Sequence, residues 1–151
     1  RWKVNYLPAT AGVVSALARL GDDLDKEMPR RALAWIEGCQ NEDGGFGESV
    51  DSYRDPRLAG KGSSTSPLTG SVLQGLVEGG LERSASSAAA AAYLLREQRP
   101  DGSWPNGDCV ATLVPPTLFY VYGGSCRYIP LEALACYRGA LARARDNESR
   151  S

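Results

Sequence analysis

Gln40 and Gln98 stand in the same frame of residues. The first copy reads Trp35-Ile36-x3-Gln40-x2-Asp43-Gly44-x-Phe46, and the second Tyr93-Leu94-x3-Gln98-x2-Asp101-Gly102-x-Trp104. The chemistry open to such a frame is that of a primary amide held between two aromatic faces. The amide donates and accepts hydrogen bonds at once. The last carbonyls of a helix lack intrahelical partners, so a glutamine closing a helix can donate to them while accepting from the next helix. The Asp-Gly pair favours a tight turn because glycine takes positive φ without a steric penalty, and the aromatic after the turn can lie flat across the amide. The frame therefore predicts structural clamps between outer helices, Trp35, Gln40 and Phe46 in one and Tyr93, Gln98 and Trp104 in the other, in preference to ligand contacts. Repetition of this kind implies a stacked array of similar units.

Other chemistry is narrowed by what the chain lacks. It contains no histidine, so neither a Ser-His-Asp nor a Cys-His site can be built from it, and histidine-containing zinc sites are excluded. Cys39, Cys109, Cys126 and Cys136 are irregularly spaced with no CxxC pair, a weak basis for an all-thiolate metal site. All four read as reduced thiols, which fits an intracellular protein. No metal, cofactor or catalytic residue is expected from the chain itself.

The 151 residues are 42% hydrophobic and 23% charged, with a formal net charge of −1. That is one ordinary domain with a core of its own, and its charge gives nucleic acid no foothold. Arg1-Trp2-Lys3 leads into no apolar stretch of a secretory leader. No apolar run approaches the roughly 20 residues needed to span a bilayer.

The elements that must position the frames read as helices. Val13, Val14, Ala16, Leu17 and Leu20 give helical spacing over residues 10–20, stopped by Gly21. Pro29 opens a second helix that runs to Gln40, and residues 41–65 form a long loop rich in Gly, Asp and Ser. A third helix follows Ser66-Pro67 and ends at Gly79-Gly80. A fourth starts near Ser84 and passes through an alanine run to Gln98. A proline-punctuated loop follows over 99–117, then a short helical or extended piece over 118–122. The last helix is expected from Pro130 to about Arg143, with residues 146–151 a frayed polar tail. No strand is expected. The pattern is helix, turn, helix, long loop, repeated: an all-α array of αα-hairpins over residues 1–145.

These motifs together resemble the triterpene cyclases, the squalene–hopene and oxidosqualene cyclase family, whose QW motif the repeated frame matches. Arg1-Trp2-x-Val4-Asn5-Tyr6 is similar to that family's RWGVNY, and Gln40-Asn41-x-Asp43-Gly44-Gly45-Phe46-Gly47-Glu48 to its QNPDGGWGE. Gly60-Lys61-Gly62-x-Ser64-Thr65 is similar to GKGxST, and Phe119-Tyr120, Tyr122, Tyr128 and Pro130 with Leu134-Ala135 to the family's aromatic C-terminal end. The resemblance implies that the segment is the C-terminal part of an (α/α)6 barrel. It implies protonation of a terminal alkene or epoxide and a cationic ring-forming cascade, on a squalene-like polyprenoid and without metal or redox cofactor. Aromatic faces suit passing cations, and an apolar cavity keeps water off them. By position, Trp2, Tyr6, Phe119 and Tyr122 match cavity aromatics. The resemblance further implies a cytoplasmic protein in peripheral contact with a membrane leaflet, leaves room for a homodimer, and makes the rest of the barrel a partner.

The chain also departs from the family. It has no DxDD acid motif; Asp22-Asp23-Leu24-Asp25 has other order and place, and reads as a turn after Gly21 with acidic residues before a helix. Alone, the segment should not cyclise anything. Gly123-Gly124-Ser125 replaces an aromatic trio, and Pro8, Leu68 and Ser71 replace Tyr, Gln and Trp. A non-catalytic helical module binding a hydrophobic ligand or a protein is the competing reading. The related protein prenyltransferase β-subunit would need a histidine in its zinc site.

Overall fold

A computed structural model describes residues 6–105, 111–114 and 118–150. Five helices carry the fold: α1 (Tyr6–Arg19), α2 (Glu27–Glu37), α3 (Ser66–Glu78), α4 (Ala85–Glu97) and α5 (Ser125–Glu148). Two short 3-10 turns, Val50–Tyr53 and Pro56–Leu58, sit in the long loop before α3. No helix among the described residues is long and apolar enough to cross a membrane.

The middle of the array is α3, which packs against α1, α4 and α5. It is buried on nearly every side, including Leu68, Val72, Leu73, Leu76 and Val77, as a helix flanked all round must be. Two glycines let its neighbours come close. A Cβ on Gly75 would lie 2.6 Å from the Ala11 Cβ on α1, and one on Gly70 would lie 3.0 Å from Ile129 on α5. Helices α1, α3 and α5 thus form one row, while α2 lies on α1 and α4 on α3. Ile36, Phe46 and Leu94 close the core from the second row and its loops.

The starts of α3 and α4 follow from their caps. Thr65 accepts from the Leu68 N–H with Pro67 in the first turn, and Ser84 accepts from the Ser87 N–H. Some helix bounds differ from those expected. Helix α1 begins at Tyr6, not at residue 10: Pro8 is tolerated in a first turn, where its missing N–H has no intrahelical role. Helix α5 begins at Ser125 and runs through Pro130. Proline in a helix interior removes one bond; just before it, Gly70 lets the backbone of Ile129 come close to α3. The same helix reaches Glu148, which pairs with Arg83, so residues 146–148 continue α5.

Among the described residues the fold is all-α apart from one short hairpin. Residues Ala111–Val114 (β1) and Leu118–Tyr120 (β2) pair antiparallel, with Thr112 opposite Phe119 and a register shift between Thr112 and Val114. Pairing of two such short pieces leaves no clear alternation in the sequence, which is why no strand was expected.

Candidate functional site

Both glutamine frames fold into the same turn. After α2 the chain unwinds, and Asn41 N–H donates to the Gly45 carbonyl at 3.0 Å while Gly44 N–H donates back to Asn41 at 2.9 Å. After α4, Arg99 N–H donates to Ser103 at 2.8 Å and Gly102 N–H to Arg99 at 2.9 Å. Gly44 and Gly102 hold φ of 84° and 82°, the left-handed region glycine enters freely. The aspartates act alike: Asp43 accepts from Gly45 N–H at 2.9 Å and Asp101 from Ser103 N–H at 3.0 Å.

The amides then diverge. Gln40 Nε2 donates to its own turn at Gly44 O (2.8 Å) and to Ser86 O in the first turn of α4 (2.9 Å). Gln98 Nε2 donates to its own turn at Gly102 O, 3.1 Å, on the exposed edge of α4. The expected acceptance from the next helix is replaced, at Gln40, by a second donation.

The aromatics are placed with the same economy. Phe46 and Trp104 are 0% and 2% exposed. Phe46 is fixed through its backbone, N–H to Thr69 Oγ1 at 2.9 Å. Trp104 instead uses its indole N–H, which donates to Leu94 O at 2.7 Å and satisfies a last-turn carbonyl of α4. Tyr93 is buried, with Arg96 stacked over its ring at 5.3 Å, and Arg96 Nη2 also donates to the Asp43 carbonyl at 3.0 Å. Trp35 is half-buried and lines a groove between α1 and α2 with Tyr6, Thr10, Met28 and Arg31.

The aromatics assigned to a cavity are less tightly gathered. Tyr6 opens α1 and lines that same groove. Phe119, on β2, meets Tyr53 edge-to-face, ring centres 6.0 Å apart at 72°. Tyr122 is 55% exposed, beside the Gly123-Gly124 break. Trp2 lies outside the described residues. Nearby in sequence, Leu118, Val121, Tyr128 and Leu131 are also exposed.

Asp22, which opens the acidic turn, is bound within that turn. Asp22 Oδ1 takes Lys26 Nζ at 2.6 Å, and that bond, with the Asp23 N–H, holds its carboxyl below the usual range. Two residues to which sequence reasoning gave no role of their own matter structurally. Arg96 ties the second frame to the first, and Glu48 accepts both leading amides of α1, from Tyr6 at 2.8 Å and Leu7 at 2.7 Å. Both act across more than forty residues, and no local pattern signals such a reach.

The sequence has counterparts among known proteins. The family model for the squalene–hopene cyclase C-terminal domain matches residues 1–139. The chain is similar to the squalene–hopene cyclase of Alicyclobacillus acidocaldarius, 41% identical over 143 residues, 95% of this chain and 23% of that protein. It is also similar to the probable squalene–hopene cyclase of Sinorhizobium fredii, 36% identical over 91% of this chain and 22% of that protein. The dammaradiene synthase of Dryopteris crassirhizoma is 34% identical over 93% of this chain and 23% of its own length. The chain spans under a quarter of the length of these relatives.

Proposed function

We propose that this chain, which belongs to the squalene–hopene cyclase family, is the C-terminal part of an (α/α)6 barrel that cyclises a linear polyprenoid by protonation and a carbocation cascade. The observation that carries the reading is the ordered match over residues 1–139. The segment contributes wall and clamps, and the acid comes from outside these residues, since no DxDD occurs here.

Within that reading Trp2, Tyr6, Phe119 and Tyr122 face the substrate, where ring faces stabilise passing cations. Trp35, Gln40 and Phe46, with Tyr93, Gln98 and Trp104, clamp the outer helices. Support comes from the two bonds of Gln40, which join the end of α2 to the start of α4. Residues 1–145 belong to the barrel. The substrate is an oil, which supports peripheral contact with one membrane leaflet; the protein is read as cytoplasmic, and a homodimer is compatible with it.

The test is product analysis. The polypeptide carrying these residues, incubated with squalene, should give cyclised hydrocarbon, and the 151-residue chain alone none. Cyclisation by the isolated chain would overturn the assignment of the acid. A second reading, a non-catalytic module for a hydrophobic ligand or a protein, is favoured by the open Tyr122 and the glycine pair beside it. Absence of product from the longer polypeptide would support that one.

A further inference from the structure

Glu48 is a carboxylate only 5% exposed, and its two oxygens are committed to a helix that starts more than forty residues earlier. Oε1 accepts from the Tyr6 N–H at 2.8 Å and Oε2 from the Leu7 N–H at 2.7 Å. A negative charge at a helix N-terminus meets both the free amides and the positive end of the helix dipole. Bonds of this kind are short and about twice as strong as neutral ones. Because each oxygen has its own amide, the carboxylate plane sets the angle of the first turn as well as its position.

The ribbon that carries Glu48 is itself immobilised. Phe46 lies in the core, with its carbonyl accepting from Thr65 N–H at 3.0 Å, and Ser49 N–H donates to Lys61 O at 2.8 Å. Between these bonds the two strands of the loop touch. A Cβ on Gly47 would lie 1.7 Å from Ser63 O, and one on Gly62 would lie 2.9 Å from the Glu48 Cα. Any side chain at either glycine would push the ribbon away, so Glu48 is presented from a backbone with no slack.

We propose that Glu48 is a positioning residue for the substrate cavity: through the Tyr6 and Leu7 amides it fixes where the Tyr6 ring stands on the wall, and so biases the product ratio. This rests on the reading of Tyr6 as a cavity aromatic given above. Leu7, fully buried, anchors the first turn to the core; Glu48 supplies the orientation that an apolar contact cannot.

The experiment uses the polypeptide that carries these residues, comparing Glu48→Gln, Glu48→Asp and Tyr6→Ala by amide hydrogen exchange and by product ratio with squalene. Glutamine offers one acceptor oxygen and points an NH2 at the second amide. Exchange at Tyr6 and Leu7 should therefore quicken roughly ten- to a hundred-fold, while Val72 and Leu73 of α3 hold their protection. Aspartate keeps the charge but shortens the reach, and should leave one of the two amides protected. Product ratios should move in the same direction for Glu48→Gln and Tyr6→Ala. Exchange that rises everywhere, or nowhere, overturns the positioning role, as does a ratio moved by Tyr6→Ala and untouched by Glu48→Gln. A ratio unmoved by Tyr6→Ala removes the cavity reading itself, and this role with it, whatever the exchange shows.

Discussion

Gln40 donates one amide proton to Gly44 O at 2.8 Å and the other to Ser86 O at 2.9 Å, so one side chain closes its own turn and binds the next outer helix. Both acceptors belong to buried residues. Gln98, in the equivalent place, makes the first of these bonds to a carbonyl on an exposed residue. Among the described residues, the two copies thus compare the same residue with and without a bond to a second helix.

Gln40→Leu removes both donors: it takes a partner from the Gly44 carbonyl on a buried residue and the second donor from Ser86 O, which stays within the helical ladder of α4. A buried carbonyl deprived of its partner costs about 1–3 kcal/mol, and the loss should fall in that range. Gln98→Leu exposes its carbonyl to water and should cost about 1 kcal/mol or less. Urea unfolding midpoints of the two variants measure the contrast. Equal losses would mean that the bridge to Ser86 contributes nothing.

How much of this was legible in the sequence follows from the range over which each signal acts. Pro29, Ser66-Pro67, Ser84 and Gly79 mark helix ends within a turn of themselves, and α2, α3 and α4 lie close to where they indicated. The ends that moved have partners from afar: Glu48 at the start of α1, and Gly70 across the interface from Ile129 of α5. The hairpin needs two short segments to find each other and carries no period of its own. In the site, repetition exposed the glutamines and aromatics. Arg96, which stacks on Tyr93 and reaches the Asp43 carbonyl, has no copy in the first frame to reveal it.

Gly75 and Gly12 separate packing from helix propensity. A Cβ on Gly75 would fall 2.6 Å from the Ala11 Cβ, and one on Gly12 would meet nothing within 4 Å. Alanine at Gly12 should stabilise by roughly 0.5–1 kcal/mol through reduced backbone entropy. At Gly75 the same gain is outweighed by overpacking, typically about 1–3 kcal/mol, so Gly75→Ala should lower the melting temperature. Adding Ala11→Gly should restore part of the loss. A double-mutant cycle with no coupling between positions 11 and 75 would refute the close approach of α1 and α3.

Arg19 and Glu78 join the far ends of α1 and α3 through two bonds, Nε to Oε2 at 3.0 Å and Nη2 to Oε1 at 2.7 Å. The Arg19 bond is the main cause holding Glu78 below its ordinary 4.5, with Gln74 adding to it and burial opposing. A carboxyl depressed in the folded state contributes stability that is present above its unfolded value and lost as pH falls through the folded one. Arg19→Gln should therefore destabilise at neutral pH, and the gap to the parent chain should close as pH drops below 4.5. Unfolding midpoints across that range test it. A gap independent of pH would assign the loss to packing of the arginine stem.

Tyr93 gives the opposite wing of the pH profile. Burial first, then the charges of Glu97 and Asp43, push its phenol from 10.0 up to about 12, while Arg96 over the ring and a hydrogen bond with Ser66 pull the other way. A group raised in the folded state contributes stability that is whole below its unfolded value and lost as pH rises through the folded one. From this group, stability should be level up to pH 10 and fall between 10 and about 12. Tyrosinate absorbance should show one phenol ionising late, and only together with unfolding if the ring must leave its site to lose the proton. Tyr93→Phe should remove both the late step and that part of the alkaline slope, at a modest cost below pH 10 from the lost bond with Ser66. A late phenol that persists in Tyr93→Phe would place the buried tyrosine elsewhere, and with it the contact of Arg96 that ties the second frame to the first.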